Sequence, residues 1–315
     1  MKTLKISRMT VDELRQNSFD AIVVASGYES RARAFAQGLK GVARRGGSIK
    51  CAWGFEEYID NPVRRKNDCA LTRMGYKISV ISGSDGDPPE KWISNLLSEN
   101  EDRPLSLAVD ISSMTRTWYG GIVKALSRTR RRFPVRSVFA YIPALWSGRQ
   151  VPAPPNEVVG PVSGYASHAL PNKPTALVVG LGGDHGRALG LNDYLDPETT
   201  ACFFSDPGAD RRYTRDVLGA NRDLIASIRN EYLYQYDLFD AFGTYKTLES
   251  VCQGLSREYR VVLASLGPKI FGLYCFLIHT NFPEVSVWRV SPATRLQPVD
   301  HKPAKQAILL DVSWA

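Results

Sequence analysis

The segment from Asp110 to Arg116 gathers a carboxylate, three hydroxyls and a guanidinium within seven residues. An apolar run at 105–109 precedes it, and a segment of helical character at 118–131 follows. This order predicts a strand that ends in a polar loop and then opens a helix, whose first N–H groups favour an anion. The hydroxyls and Arg116 would add phosphate contacts. The alternative is that a hydroxyl side chain only caps the helix and Arg116 is solvated. The hydroxyls belong to Ser112, Ser113 and Thr115.

A second segment near the C-terminus has the same composition. The apolar run at 260–264 leads into Ser265, Gly267 and Lys269, and an apolar segment follows at 270–278. Ser265 and Lys269 are four residues apart, as are Ser112 and Arg116. We therefore predict that both segments contact a ligand.

Each half of the chain also begins with an apolar run that ends at glycine and an acidic residue. The first run, at 20–25, leads into Ser26, Gly27, Tyr28 and Glu29. The second, at 175–180, leads into Gly182 and Asp184. We predict ligand contacts in these loops as well, at Ser26, Gly27, Tyr28, Gly182 and Asp184.

Strands and helices alternate five times in each half, which predicts an α/β fold made of two tandem Rossmann-like, doubly wound parallel-sheet units from an internal duplication. We assume the strand order 3-2-1-4-5 from the usual right-handed crossovers, because the sequence does not show the order. Strands one and four are then neighbours, so their loops face one another across one crevice. We predict a first unit at 1–145 and a second at 172–315. The Pro- and Gly-rich stretch at 146–171 is interpreted as a linker.

The formal net charge of the 315 residues is +8, which favours an anionic partner. Basic clusters at 64–66 and 128–132 are candidates for contact with nucleic acid. A solvated helix end also explains the cluster at 128–132. Without an apolar run of membrane-spanning length or a signal peptide, we expect a cytoplasmic protein with no membrane partner.

Metal and cofactor motifs are not evident. The five cysteines and four histidines lack metal-ligand spacing, and the glycines at 180–183 do not match a dinucleotide fingerprint. The sequence contains no Walker A, G-x-S-x-G or H-E-x-x-H pattern. We therefore predict no metal site and no cofactor.

The segment Asp110-Ile111-Ser112-Ser113-Met114-Thr115-Arg116 resembles the Asp-aliphatic-Thr-Gly-Gly-Thr-Lys segment after the fourth strand of the CARF superfamily, the CRISPR-associated Rossmann-like sensors of cyclic oligonucleotides. The arrangement of two similar halves resembles the related SAVED domains of antiphage defence. The resemblance implies phosphate or ribose contacts at Ser112, Thr115 and Arg116, with Ser265 and Lys269 as counterparts. It implies base or backbone contacts at Ser26, Gly27 and Tyr28.

Three functions follow as hypotheses. The first is a nucleotide-binding sensor or regulatory subunit, acting in antiphage defence with a separate effector protein. The second is a hydrolase or transferase that processes nucleotides or nucleic acid, with Glu29 and Asp110 as candidate catalytic carboxylates. The third is a noncatalytic partner that binds nucleic acid through its basic clusters.

Overall fold

The computed structural model describes residues 4–39, 47–148, 156–168, 172–292 and 298–314. The chain forms two compact units, one comprising Met1–Leu145 with Gln297–Ala315 and the other comprising Trp146–Leu296. None of the helices in the described ranges combines the length and the apolarity needed to span a membrane.

The strands, in chain order, are β1 (Lys5–Arg8), β2 (Ala21–Ser26), β3 (Ile49–Phe55), β4 (Lys77–Ile81), β5 (Leu105–Asp110), β6 (Val135–Tyr141), β7 (Asn156–Pro161), β8 (Thr175–Gly180), β9 (Thr199–Ser205), β10 (Leu233–Tyr236), β11 (Arg260–Ser265), β12 (Ser286–Pro292) and β13 (Ile308–Trp314). The helices are α1 (Val11–Gln16), α2 (Ala34–Gly38), α3 (Pro62–Arg73), α4 (Asp87–Ser98), α5 (Arg116–Arg128), α6 (Arg187–Leu195), α7 (Arg211–Ala220), α8 (Arg222–Ser227), α9 (Ala241–Leu255) and α10 (Lys269–Asn281). Short 3-10 turns occur at Ser30–Arg33, Glu56–Tyr58 and Asn230–Tyr232.

The sheet of the first unit has the order β1-β13-β6-β5-β2-β3-β4. The five neighbouring strands β6, β5, β2, β3 and β4 run parallel, and β13 and β1 pair antiparallel at one edge. Every residue of β2 is buried, as expected for a central strand covered by helices on both faces. The five parallel strands of this unit thus have the assumed order 3-2-1-4-5.

The sheet of the second unit has the order β10-β9-β8-β11-β12-β7. Its strands are parallel except for β7, which pairs antiparallel with β12. The assumed order therefore holds here too, and both units are Rossmann-like α/β folds. Their origin in an internal duplication stays a prediction.

Two predicted boundaries were wrong. The C-terminal strand β13 was assigned to the second unit, but it pairs with β6 of the first, from Ile308 opposite Tyr141 to Trp314 opposite Val135. Strand β7 lies inside the predicted linker and extends the second sheet. Strand β7 is an edge strand and β13 lies between β6 and the edge strand β1, and both pair with residues distant in the chain. Local sequence pattern predicts that such a segment is extended, but it does not identify the sheet edge on which the segment lies.

Candidate functional site

The loops after β2 and β5 meet at the carboxyl edge of the first sheet, as predicted. The two strands are neighbours, with Val23 opposite Val109. A Cβ atom built on Gly27 would lie 3.1 Å from the Cβ of Ser113. A glycine at position 27 therefore permits the close approach of these loops. The region around them is called the crevice below.

Glu29 and Arg31 form a buried ion pair in the crevice. The Nε of Arg31 donates to the Oε2 of Glu29 over 2.6 Å, and its Nη1 donates to the carbonyl of Ile142 over 3.1 Å. Burial by itself lowers the pKa of Arg31. The neighbouring carboxylate of Glu29 outweighs this effect, so the pKa lies above the ordinary value and the guanidinium stays charged. The Oγ of Ser113 lies 3.5 Å from the same carboxylate.

Asp110 and Ser112 tie the end of β5 to the strand beside it. The Oδ1 of Asp110 accepts hydrogen bonds from the backbone N–H and the hydroxyl of Ser112, over 2.9 and 2.5 Å. The Ser112 hydroxyl in turn accepts from the N–H of Ile142 over 2.8 Å. Ser112 is fully buried, so this hydroxyl serves the loop itself. The predicted contact between Ser112 and a phosphate or ribose would require these bonds to open.

Helix α3 contributes polar side chains to the crevice. The sequence analysis did not identify these side chains. The Nε of Arg64 donates to the Oδ1 of Asp68 over 2.8 Å, and its Nη1 donates to the carbonyl of Phe55 over 2.7 Å. The hydroxyl of Ser26 donates to the same Asp68 oxygen over 2.5 Å. A Cβ atom on Gly54 would lie 1.8 Å from the Nη2 of Arg64, so this arginine packs directly on the backbone of β3.

Arg64 was predicted to belong to a basic surface cluster, and this was wrong. The side chain is fully buried. The spacing of Arg64, Asn67 and Leu71 places all three on one face of a helix, and all three are buried. This spacing could have predicted from the sequence that Arg64 faces the protein interior. The helix begins with Asn61 as its N-cap and Pro62 in its first turn, a typical start signal.

Asn67 holds the loop after β2 through its side-chain amide. Its Nδ2 donates to the carbonyls of Gly27 and Glu29, each over 2.8 Å. The second unit has a parallel arrangement, in which the Nδ2 of Asn221 donates to the carbonyl of Gly182 over 2.8 Å. In each unit, an asparagine side chain therefore holds the loop after the first parallel strand. Asn67 lies in α3, which follows β3, and Asn221 lies just after α7, which follows β9.

Charge is concentrated at this edge of the first sheet. Four charged residues are the most deeply buried in the described ranges. They are Glu29, Arg31, Arg64 and Asp110, which expose 8, 5, 0 and 1% of their surface, respectively. All four lie at the carboxyl ends of β2, β3 and β5. Burying charge is costly, and such groups cluster at functional sites.

Aromatic side chains line the crevice beside these charges. The rings of Tyr28 and Tyr58 lie 4.4 Å apart at 58°, and Phe55 stacks on Trp118 at 4.4 Å. Tyr28 and Tyr58 are half-buried. Burial, together with the nearby carboxylate of Glu29, raises the pKa of Tyr28 above its ordinary value. The Tyr28 ring therefore stays uncharged, and the two tyrosine rings form the aromatic part of the crevice.

Thr115 and Arg116 lie at the start of α5. The Oγ1 of Thr115 accepts from the N–H of Trp118 over 3.1 Å, so Thr115 is the N-cap, the alternative considered for it from the sequence. Arg116 is the first residue of the helix and is half-buried.

The corresponding edge of the second sheet is closed by backbone packing. A Cβ atom on Gly182 would lie 2.0 Å from the carbonyl oxygen of Leu266, and one on Gly267 would lie 2.2 Å from that of Leu181. The N–H groups of Leu266 and Gly267 both donate to the carbonyl of Gly180, over 2.8 and 3.1 Å. The packing of these loops leaves little room for a ligand between Gly182 and Gly267.

The remaining predicted residues of the second unit lie around this closed junction. Ser265 is buried, and Lys269 is the first residue of α10. The carboxylate of Asp184 pairs with the Nη1 of Arg187 over 2.7 Å. Within the described ranges, no group of histidine, cysteine, aspartate and glutamate side chains is arranged to hold a metal ion.

A segment near the C-terminus, residues 298–304, lies along the loop after β2. The Oδ1 of Asp300 accepts from the N–H of Ser30 over 2.6 Å. The carbonyl of His301 accepts from the N–H of Arg31 over 3.3 Å. These contacts join residues about 270 positions apart, which is why no local pattern revealed them.

Comparisons with known proteins add little to this description. No protein-family model matches the chain, and no curated protein matches it. One solved structure that matches is the cytoplasmic domain of a prokaryotic cation chloride cotransporter, at 9% identity and a TM-score of 0.24, covering 88% of this chain and 96% of that chain. The fold class follows from the strand pairing alone.

Proposed function

We propose that the protein binds a nucleotide in the crevice of the first unit and acts as a sensor or regulatory subunit. The observation that carries the proposal is the burial of Glu29, Arg31, Arg64 and Asp110 at one sheet edge. Ligands of open α/β sheets bind at the carboxyl ends of the strands, where the strand order reverses. In this unit that point lies between β2 and β5.

The neighbouring side chains suit the two parts of a nucleotide. Tyr28 and Tyr58 provide ring surfaces on which a base can stack. Arg116, at the start of α5, provides a planar guanidinium that matches a phosphate. A ligand with an aromatic base and a phosphate is therefore the class that this crevice fits best.

Binding without turnover is favoured by the contacts of the two candidate carboxylates. Glu29 is paired with Arg31, and Asp110 is bonded to Ser112. A general base must reach the proton that it removes. Both groups are already engaged in holding the loops, so the enzyme hypothesis gains no support from the geometry.

The resemblance to the CARF superfamily extends the proposal to a cyclic oligonucleotide, a separate effector protein and a cytoplasmic role in antiphage defence. Ser113 and Met114 stand where that superfamily has paired glycines, and Met114 is fully buried. The side chains of these two residues narrow the approach of a phosphate to the loop backbone. The phosphate contact is therefore assigned to the Arg116 side chain.

The test compares Arg116→Ala with Arg222→Ala in a calorimetric titration with mononucleotides and cyclic oligonucleotides. Arg131 was predicted to be a solvated surface charge, but it is anchored to backbone carbonyls, whereas the side chain of Arg222 in the second unit is 81% exposed. A charge-assisted contact in the crevice contributes about 1.5 to 3 kcal/mol, so Arg116→Ala should weaken binding at least about tenfold. Arg222→Ala should leave the affinity almost unchanged. Equal losses would show that only general charge matters.

A further inference from the structure

A cavity of about 390 Å³ lies at the opposite end of α5 from the crevice. It is bounded by the C-terminal parts of α4 and α5 and by the loop that leads into β6. Helix α5 has 13 residues, so about 20 Å separate this cavity from Arg116. Its lining includes four arginines and one acidic residue, namely Arg128, Arg130, Arg131, Arg132 and Glu101.

The positive charge of this cavity is only partly compensated. Arg128 pairs with Glu90 over 3.2 Å, outside the lining. Arg130 and Arg132 are exposed, and their cationic groups add to the potential inside the concave surface. The lining therefore has an excess of guanidinium groups over carboxylates.

Arg131 is held in place and has unused hydrogen-bonding capacity. Its Nη2 donates to the backbone carbonyls of Asn100 and Arg103, the latter over 2.7 Å. Its Nε and Nη1 are buried and have no hydrogen-bond partner among the described residues. Buried donors without partners are rare and unfavourable. These two donors are closed off from the cavity, so the exposed guanidinium groups of Arg130 and Arg132 are the ones that can contact an anion there.

We infer that this cavity binds the polyphosphate group of a small molecule. Guanidinium groups match phosphate oxygens in bidentate geometry, and several of them suit two or more linked phosphates. The volume lies within the usual range for small-ligand pockets. A nucleic-acid strand would need an extended track with aromatic surfaces for its bases, and the lining of this cavity contains no aromatic residue.

The experiment is a calorimetric titration with inorganic pyrophosphate at roughly 0.15 M salt, where distant exposed charges are screened. The double variant Arg130→Gln/Arg132→Gln removes two exposed side chains of the lining and leaves the anchored Arg131 intact. The matched control is Arg222→Gln/Arg229→Gln, which removes the same charge from side chains that are 81 and 79% exposed in the second unit. Melting curves of both double variants should match that of the wild type.

We expect saturable pyrophosphate binding that weakens about tenfold or more in Arg130→Gln/Arg132→Gln and less than about twofold in the control. The inference is overturned if the wild type does not bind pyrophosphate or if both double variants lose affinity equally. It is also overturned if Arg116→Ala abolishes binding while Arg130→Gln/Arg132→Gln retains it, because the anion would then lie in the crevice. Binding of a DNA oligonucleotide that depends on Arg130 and Arg132, without binding of pyrophosphate, would overturn it in favour of a nucleic-acid surface.

Discussion

At the scale of single residues, the first unit stabilises buried charge through short, specific contacts. Glu29 and Arg31 expose 11 and 6% of their side chains, so water screens their interaction only weakly. The sequence identified Glu29 as chemically important but suggested catalysis. Its pairing with Arg31 depends on how the backbone turns after β2, and residue spacing alone does not determine that turn.

Removing one member of this pair should leave the other charge buried without a partner. We expect Glu29→Gln and Arg31→Gln each to lower the free energy of unfolding by about 3 kcal/mol. Because the uncompensated charge disappears in the double variant, its loss should be smaller than the sum of the two single losses. Urea denaturation of all four proteins measures this coupling, and strictly additive losses would contradict it.

Asp20 makes the first unit sensitive to acid. Burial by itself raises the pKa of Asp20, but hydrogen bonds from the N–H of Ser106 and from Arg103 outweigh burial and lower it below the ordinary value. The stabilisation is therefore present above the unfolded-state pKa of about 3.9 and is lost as the pH falls through the lower folded-state value. Asp20→Asn should flatten the fall in the free energy of unfolding, measured with urea, below about pH 4. An unchanged slope in Asp20→Asn would refute this assignment.

At the scale of elements, the loops at the carboxyl edges distinguish the two units. The sequence predicted the five parallel strands of each unit, because apolar runs that end at glycine and hydroxyl residues have strong local signals. The facing loops followed from an assumed strand order, which the sequence itself does not show. It did not predict that Gly182 and Gly267 would close the second junction. Glycines that permit ligand approach and glycines that permit backbone packing have the same local pattern.

Gly267→Ala should therefore destabilise the second unit by about 2 kcal/mol or more, because the new methyl group would meet the carbonyl oxygen of Leu181. Gly254→Ala is the matched control. Gly254 lies in α9 with open space around it, so alanine there should stabilise the helix by about 0.5 to 1 kcal/mol. Thermal unfolding should show a lower melting temperature for Gly267→Ala and a higher one for Gly254→Ala. An unchanged melting temperature in Gly267→Ala would mean that the junction is open.

At the scale of the whole molecule, the chain returns to its first sheet after completing the second. Strand β13 inserts between β6 and β1, and the indole N–H of Trp314 donates to the hydroxyl of Ser137 over 2.7 Å. The sequence analysis did not identify β13 as a strand. The choice of sheet depends on pairing across more than 160 residues, which composition and periodicity do not encode.

Leu310→Ala tests this assignment. Leu310 is fully buried opposite Phe139, and the substitution should lower the stability of the first unit by about 2 to 5 kcal/mol. Hydrogen exchange should accelerate at the amides of β5 and β6 and remain unchanged at those of β8 and β11. Faster exchange confined to β8 and β11 would show that β13 stabilises the second unit, and this would contradict its pairing with β6.

The nucleotide-binding proposal is tested most directly by mass spectrometry of ligands released from the purified protein, followed by titration of the emptied protein with nucleotides. We predict that the wild type releases or rebinds a nucleotide with an aromatic base and at least one phosphate, and that Arg116→Ala, folded as the wild type, loses at least about nine-tenths of it. A wild-type protein that neither releases a nucleotide nor binds any from a panel of mononucleotides and cyclic oligonucleotides would contradict the proposal.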